Sequence, residues 1–187
     1  MTPEVWSAIF AGATFTVIGA TAIAALIQLR HLRASNQLNA LLTLMTLWQA
    51  PELQEHIRYL RGELQEKMKD PKFLADFSKG TVSRAEHPEL LVADFWEQVG
   101  AFMKYDLMDE RSWLDVAAPQ VYSAWDRIQP IVRTMRQVTG PATFENFEYA
   151  AVRGRLWLNR YPDGNYPAGT PRMEELEKTH GATEGTQ

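Results

Sequence analysis

The side chains able to do acid–base or metal chemistry are few and scattered. Histidine occurs four times, at His31, His56, His87 and His180. No His-Glu-x-x-His run exists, and the one Glu-x-x-His spacing, Glu177 to His180, lies in a polar C-terminal stretch. Di-iron carboxylate bundles need two such motifs on packed helices together with further glutamates, so no metal centre and no cofactor is expected. Asp94 with Glu97, and Glu145 with Glu148, put carboxylates one helical turn apart. Pairs of this kind hold a divalent cation or move protons when they face a pocket. Otherwise they form a solvated face or pair with nearby arginines, and that is the reading expected here. The stretches "TGPATFENF" and "GNYPAGTP" match no phosphate-cradling loop, and no local signature marks an activated serine. Cysteine is absent, which removes disulfides, thiolate ligands and thiol nucleophiles together. No catalytic residue is assigned.

The elements that would carry any function begin with an uncharged run. From Val5 to Ile27 there are 23 residues without Asp, Glu, Lys, Arg, His, Asn, Gln or Pro. About 20 apolar residues rising roughly 1.5 Å each cross a hydrocarbon layer of about 30 Å. A cleaved secretory signal would start with basic residues, whereas this N-terminus offers Thr2, Pro3 and Glu4. The run is therefore expected to be a membrane-spanning helix in contact with the lipid bilayer over residues 5–27. Trp6 and Phe10 stand where interfacial aromatics belong. Arg30 and Arg33 follow the span with no basic excess before it, a topology signal that puts Met1 outside and residues 30 onward in the cytoplasm. Ala8, Gly12, Thr16, Ala20 and Ala24 recur every four residues, a spacing of small side chains that lets membrane helices approach closely. They are expected to contact another helix, of a partner or of a second copy.

Beyond the span the chain reads as helices punctuated by proline and glycine. Removing Glu4, Arg30 and Arg33 from the totals leaves 17 basic against 22 acidic residues, a net charge of −5 for residues 34–187. That balance argues against a nucleic-acid partner, which needs a basic footprint. Leu38, Leu41, Met45 and Trp48 follow a helical period, so the membrane helix is expected to run unbroken to about Gln49, with Pro51 opening a second helix. Asp70-Pro71 opens a short helix that Gly80 closes, and Pro88 opens one whose Leu91, Phe95, Val99 and Phe102 share a face. A short helix around Trp113 and Leu114 should precede another starting at Pro119, which Pro130 should kink or split. Phe144, Phe147, Ala151 and Leu158 mark the last helix. No alternation of period two occurs, so the fold class is all-α: one N-terminal transmembrane helix continuing into a cytoplasmic helical bundle. The domains expected are an anchor (1–29), a helical domain (30–160) and an extended or disordered tail (161–187).

The order "QLRHLRASNQLNALLTL", "HPELLVADFWEQVGAFMKYDLMDERSWLDV" and "FENFEYAAVRGRLWL" resembles a bacterial family of single-span proteins whose domain has no assigned function. The likeness covers roughly residues 20–160 and is one of pattern. It implies an inner-membrane anchor with a cytoplasmic helical domain, and no particular chemistry.

Two readings of function follow, from different classes. The first is a non-enzymatic, membrane-anchored interaction module, an accessory or structural subunit of a larger inner-membrane assembly. Adjacent Phe95 and Trp96 are not expected to face one core, which leaves Trp96 as a contact for a partner, where tryptophan is enriched. Tyr161 and Tyr166 alternate with Pro162, Pro167 and Pro171, and are expected to anchor an extended strap, residues 161–173, across this domain or a neighbouring subunit. The alternative is a small membrane-tethered enzyme, hydrolase-like, using dispersed carboxylates and His56 or His87.

Overall fold

The computed structural model describes residues 2–177, so His180 and the polar end from Thr179 lie outside the described residues. Seven α-helices, one 3-10 turn and a helical turn at residues 173–177 occur among the described residues, and no strand does. Helix α1 (Pro3–Gln49) is continuous over 47 residues, about 70 Å at 1.5 Å per residue. It ends because Ala50 precedes a proline and is pushed out of the helical region, to ψ 131°. Pro51 then occupies the first turn of α2 (Pro51–Gly62), followed by the single turn α3 (Leu64–Lys67). The Asp70 side chain accepts from the Lys72 N–H at 2.9 Å and caps α4 (Pro71–Asp76). A 3-10 turn (Phe77–Lys79) finishes at Gly80, where φ is +77°.

Three longer helices complete the domain: α5 (Glu89–Lys104), α6 (Glu110–Thr139) and α7 (Glu145–Arg160). Helix α5 packs against α2, α6 and α7, and a helix covered on several sides must be apolar around most of its girth. That corrects two expectations. The buried side of α5 is not a single stripe through Leu91 and Phe102, which are half-buried, but includes Val92, Phe95, Trp96, Val99 and Met103. Phe95 and Trp96 both lie inside, at 7% and 1% exposure. Trp48 from the end of α1 reaches both rings, with centroids at 6.3 and 5.3 Å, and also Trp113 at 5.4 Å. Trp96 is thus a core residue rather than a surface contact.

Helix α6 runs unbroken through Pro119 and Pro130, so no helix starts at Pro119 and none is split at Pro130. Proline at these positions frees the carbonyls four residues back, those of Asp115 and Asp126. Asp115, Pro119, Asp126 and Pro130 are all exposed, and water can take the freed acceptors. The Gln129 side-chain amide also reaches the Asp126 carbonyl at 3.4 Å. At its start the Asp109 carboxylate accepts from the Ser112 N–H at 2.9 Å and from the Ser112 hydroxyl, contacts that hold its carboxyl below the usual range.

Two glycines set the approach of α7. A methyl group on Gly100 would stand 1.8 Å from the Asn146 carbonyl oxygen, and one on Gly154 would stand 2.8 Å from Val121. The turn before α7 places Phe144 at φ +55°. Arg136 holds it there, donating from Nε to the Thr143 carbonyl at 2.9 Å and pairing with Glu148 at 2.7 Å.

Candidate functional site

The helix α1 divides into two lengths with different surroundings. Every residue from Thr2 to Asn36 is exposed, including Phe15 at 80% and Val17 at 64%. One window of this helix is long and apolar enough to cross a membrane, and none of it is buried by the protein. Ala8, Gly12, Thr16, Ala20 and Ala24 all lie on this bare length. Nothing approaches within 4 Å of a methyl group built on Gly12 or Gly19, and the Thr16 hydroxyl is turned back on the Gly12 carbonyl at 2.9 Å. From Gln37 onward the helix enters the domain. Leu44 is fully buried, with Ala40, Leu41, Met45 and Trp48 packed beside it. Leu38, read as part of that stripe, is 54% exposed, because the buried face runs through Gln37, Ala40, Leu41, Leu44 and Trp48 and leaves Leu38 outside it.

A latch marks the point of entry. Asp106 sits in the turn after α5 with φ +56°, a conformation that Asp tolerates better than most residues. Its carboxylate pairs with Arg33, and Gln37 donates to its carbonyl at 3.2 Å. Arg33, expected as a topology signal, therefore also ties the bare helix to the domain. Arg30 has no ion pair among the described residues.

The titratable residues single out one buried cluster. His87 is 4% exposed and Glu89 fully buried, with Nδ1 of the histidine 2.8 Å from Oε1 of the glutamate. Nε2 faces Asp76 at 3.9 Å. Lys79 pairs with Asp76 and holds its carboxyl below the ordinary range, with a smaller effect from His87. The rings of Phe77 and Phe73 stand 4.4 and 5.2 Å from the imidazole. Burial first, and then the charges of Glu89 and Glu63, push the Tyr59 phenol up to about 12. His87 thus joins the start of α5 to the end of α4 beneath a cover of phenylalanines. His56 is half-buried on α2 and takes no part.

The carboxylate pairs resolve into structural contacts. Asp94 takes a two-pronged contact from Arg84, at 3.0 and 3.1 Å. Glu145 pairs with Lys104 at 3.0 Å and Glu148 with Arg136. Glu97 accepts from the Phe147 N–H and the Asn146 side-chain amide, both at 2.8 Å, and so caps α7 from α5. Sequence reasoning missed this cap, whose only trace was a glutamate inside an apolar helix. No group of three or more His, Asp or Glu side chains suited to a metal ion occurs among the described residues.

The segment after α7 is not an extended strap across this domain. Tyr161 leans on Trp157 with centroids 4.7 Å apart, a continuation of α7 rather than a crossing. The Tyr166 hydroxyl donates to the Pro171 carbonyl at 3.2 Å, and the Arg172 guanidinium lies 4.6 Å from its ring. Gly164 and Gly169, at φ +85° and +79°, turn the chain back on itself between the prolines. Residues 162–177 are exposed throughout, and residues 173–177 form a helical turn.

Residues 15–153 match the model of a family described as a domain of unknown function, DUF4760. No curated protein and no solved structure matches the chain.

Proposed function

The chain belongs to the DUF4760 family, and from that premise we propose that it is a membrane-anchored helical interaction module, non-enzymatic, serving as an accessory or structural subunit of a larger inner-membrane assembly. Residues 5–27 lie in the bilayer, the N-terminus is outside, and the helical domain is cytoplasmic. The observation that carries the reading is the unbroken α1, bare over its first length and built into the aromatic core over its last three turns. Apolar side chains left uncovered by their own protein need another apolar environment. A helix without a joint passes the position of one end to the other. Whatever binds the span thereby fixes where the domain stands.

The small residues from Ala8 to Ala24 are the contact surface in the membrane, and the exposed segment carrying Tyr161 and Tyr166 is a second contact on a neighbouring subunit. Replacing Gly12 and Ala20 together by leucine should lower crosslinking to self or partner in native membranes, and should lower co-purification of a stoichiometric partner in mild detergent. The domain itself should keep its melting temperature. Unchanged crosslinking yields, or a lone monomer from wild-type membranes, would overturn the reading.

A further inference from the structure

Helices α2 and α6 both rest on α5 but barely touch each other. The gap between them encloses a cavity of about 20 Å³. Val92 and Trp96 form its floor, Arg61 stands on the α2 side, and Gln120, Ser123 and Arg127 line the α6 side. Three polar atoms around it are sealed from solvent without a partner: the indole Nε1 of Trp96, Oε1 of Gln120 and Nε of Arg127. Each such group keeps its full desolvation cost when left unpaired. Three around one cavity are a site built for something that pairs with them.

The chemistry of the lining selects the occupant. Arg61 and Arg127 line the cavity, no carboxylate does, and neither arginine has an ion pair among the described residues. By contrast Arg33, Arg84, Arg136 and Arg153 each meet an acid. The Trp96 and Arg127 N–H groups can only donate, and the Ser123 hydroxyl can do so. Rotating the Gln120 amide by half a turn exchanges its oxygen for its NH2 at no cost in shape, completing a ring of donors. Such a ring fits an anion. The enclosed space holds one or two water-sized atoms, enough for the two oxygens of a carboxylate but not the four of a phosphate. A trough of about 370 Å³ adjoins it, sharing Trp48 and Gln120 and lined further by Met45 and Val116. That trough suits a short apolar chain.

We infer that the gap between α2 and α6 binds the carboxylate of a small amphipathic acid, with Trp96, Arg61 and Arg127 on the carboxylate and the Met45–Val116 trough on its apolar part. The site is independent of what α1 contacts in the membrane. Butyrate is the simplest probe, and butyramide is its uncharged counterpart of nearly equal shape. Calorimetric titration of the full-length chain in detergent, at constant ionic strength, should give saturable one-to-one binding of butyrate. Butyramide should bind at least tenfold more weakly, and inorganic phosphate should not compete. Arg127→Gln should weaken butyrate at least tenfold, and Arg61→Gln, at an exposed residue whose loss leaves the fold intact, severalfold. Arg155→Gln on α7 should change nothing. If circular dichroism shows Arg127→Gln unfolded, Arg61→Gln decides. Equal binding of butyramide, tighter binding of phosphate, no saturation by about 10 mM, or unchanged affinity in Arg61→Gln would overturn the proposal.

Discussion

The first 34 residues of α1 and the whole of α5 are both rich in apolar side chains, yet they meet opposite fates. On α1 every one of them is exposed; on α5 nine residues are buried, Trp96 and Glu89 among them. The polar residues account for the difference. The three carboxylates Glu89, Asp94 and Glu97 of α5 each meet another element: Glu89 meets His87, Asp94 meets Arg84, and Glu97 caps α7. The bare length of α1 has almost nothing to pair, and its hydroxyls turn back on its own carbonyls, Thr16 to Gly12 and Thr21 to Val17. A helix meant for a protein core carries polar groups that specify its neighbours. The bare length of α1 satisfies its own hydroxyls instead.

The sharpest way to break that contrast is to make one substitution in both places. Gly100→Ala forces a methyl group toward the Asn146 backbone carbonyl at 1.8 Å, which no side-chain rotation relieves. Separating α5 from α7 would also pull the Phe147 N–H away from Glu97. We expect a loss of about 3 kcal/mol or more, read as a large fall in the thermal midpoint of the domain. Gly12→Ala meets nothing within 4 Å and should leave that midpoint within experimental error. Equal effects at both positions would erase the distinction.

A second comparison lies within α1, at the point where it joins the domain. Trp48 packs on Phe95, Trp96 and Trp113, so Trp48→Ala removes a large ring from an aromatic cluster and should cost about 3 kcal/mol. Arg33→Ala breaks a pair whose side chains are 66% and 63% exposed. Exposed pairs contribute roughly 0–1 kcal/mol, and we expect a change below about 0.5 kcal/mol in chemical denaturation. On this expectation the junction is held by packing far more than by the ion pair.

Much of this arrangement was legible before any coordinates. Pro51, Asp70-Pro71, Gly80, Pro88 and Gly140-Pro141 mark helix ends because each acts on the backbone next to it, and local rules read local causes. Pro119 starts no helix and Pro130 splits none, because the cost of an interior proline depends on whether water reaches the freed carbonyl, a matter of which face points outward. Phe95 and Trp96 were misread because periodicity assumes one buried stripe, whereas α5 is enclosed by three helices. The cavity between α2 and α6 joins Arg61 to Arg127, residues on different helices, and no spacing in the chain announces that meeting.

The finest comparison sets Tyr59, the tyrosine tied electrostatically to the buried Glu89, against an ordinary exposed tyrosine. Burial, followed by the charges of Glu89 and Glu63, raises its phenol from 10.0 to about 12. In the unfolded chain the same phenol ionises near its ordinary value, so between pH 10 and 12 the unfolded state gives up the proton first. The folded state then binds more protons, and stability falls as pH rises through that window. Below pH 10 both states are protonated, and the contribution is fully present. Tyr59→Phe removes the titrating group while keeping the ring that Lys67 covers at 4.9 Å. Wild type should therefore lose more stability than Tyr59→Phe between pH 10 and 12, with the two denaturation midpoints falling in parallel below pH 10. Lysines raised by their own partners, Lys79 by Asp76 and Lys104 by Glu145, titrate in both proteins and cancel in the difference. Tyr166→Phe, on the exposed C-terminal segment, should leave the slope unchanged. Parallel curves for wild type and Tyr59→Phe across the whole range would show that the phenol is as well hydrated as one on the surface.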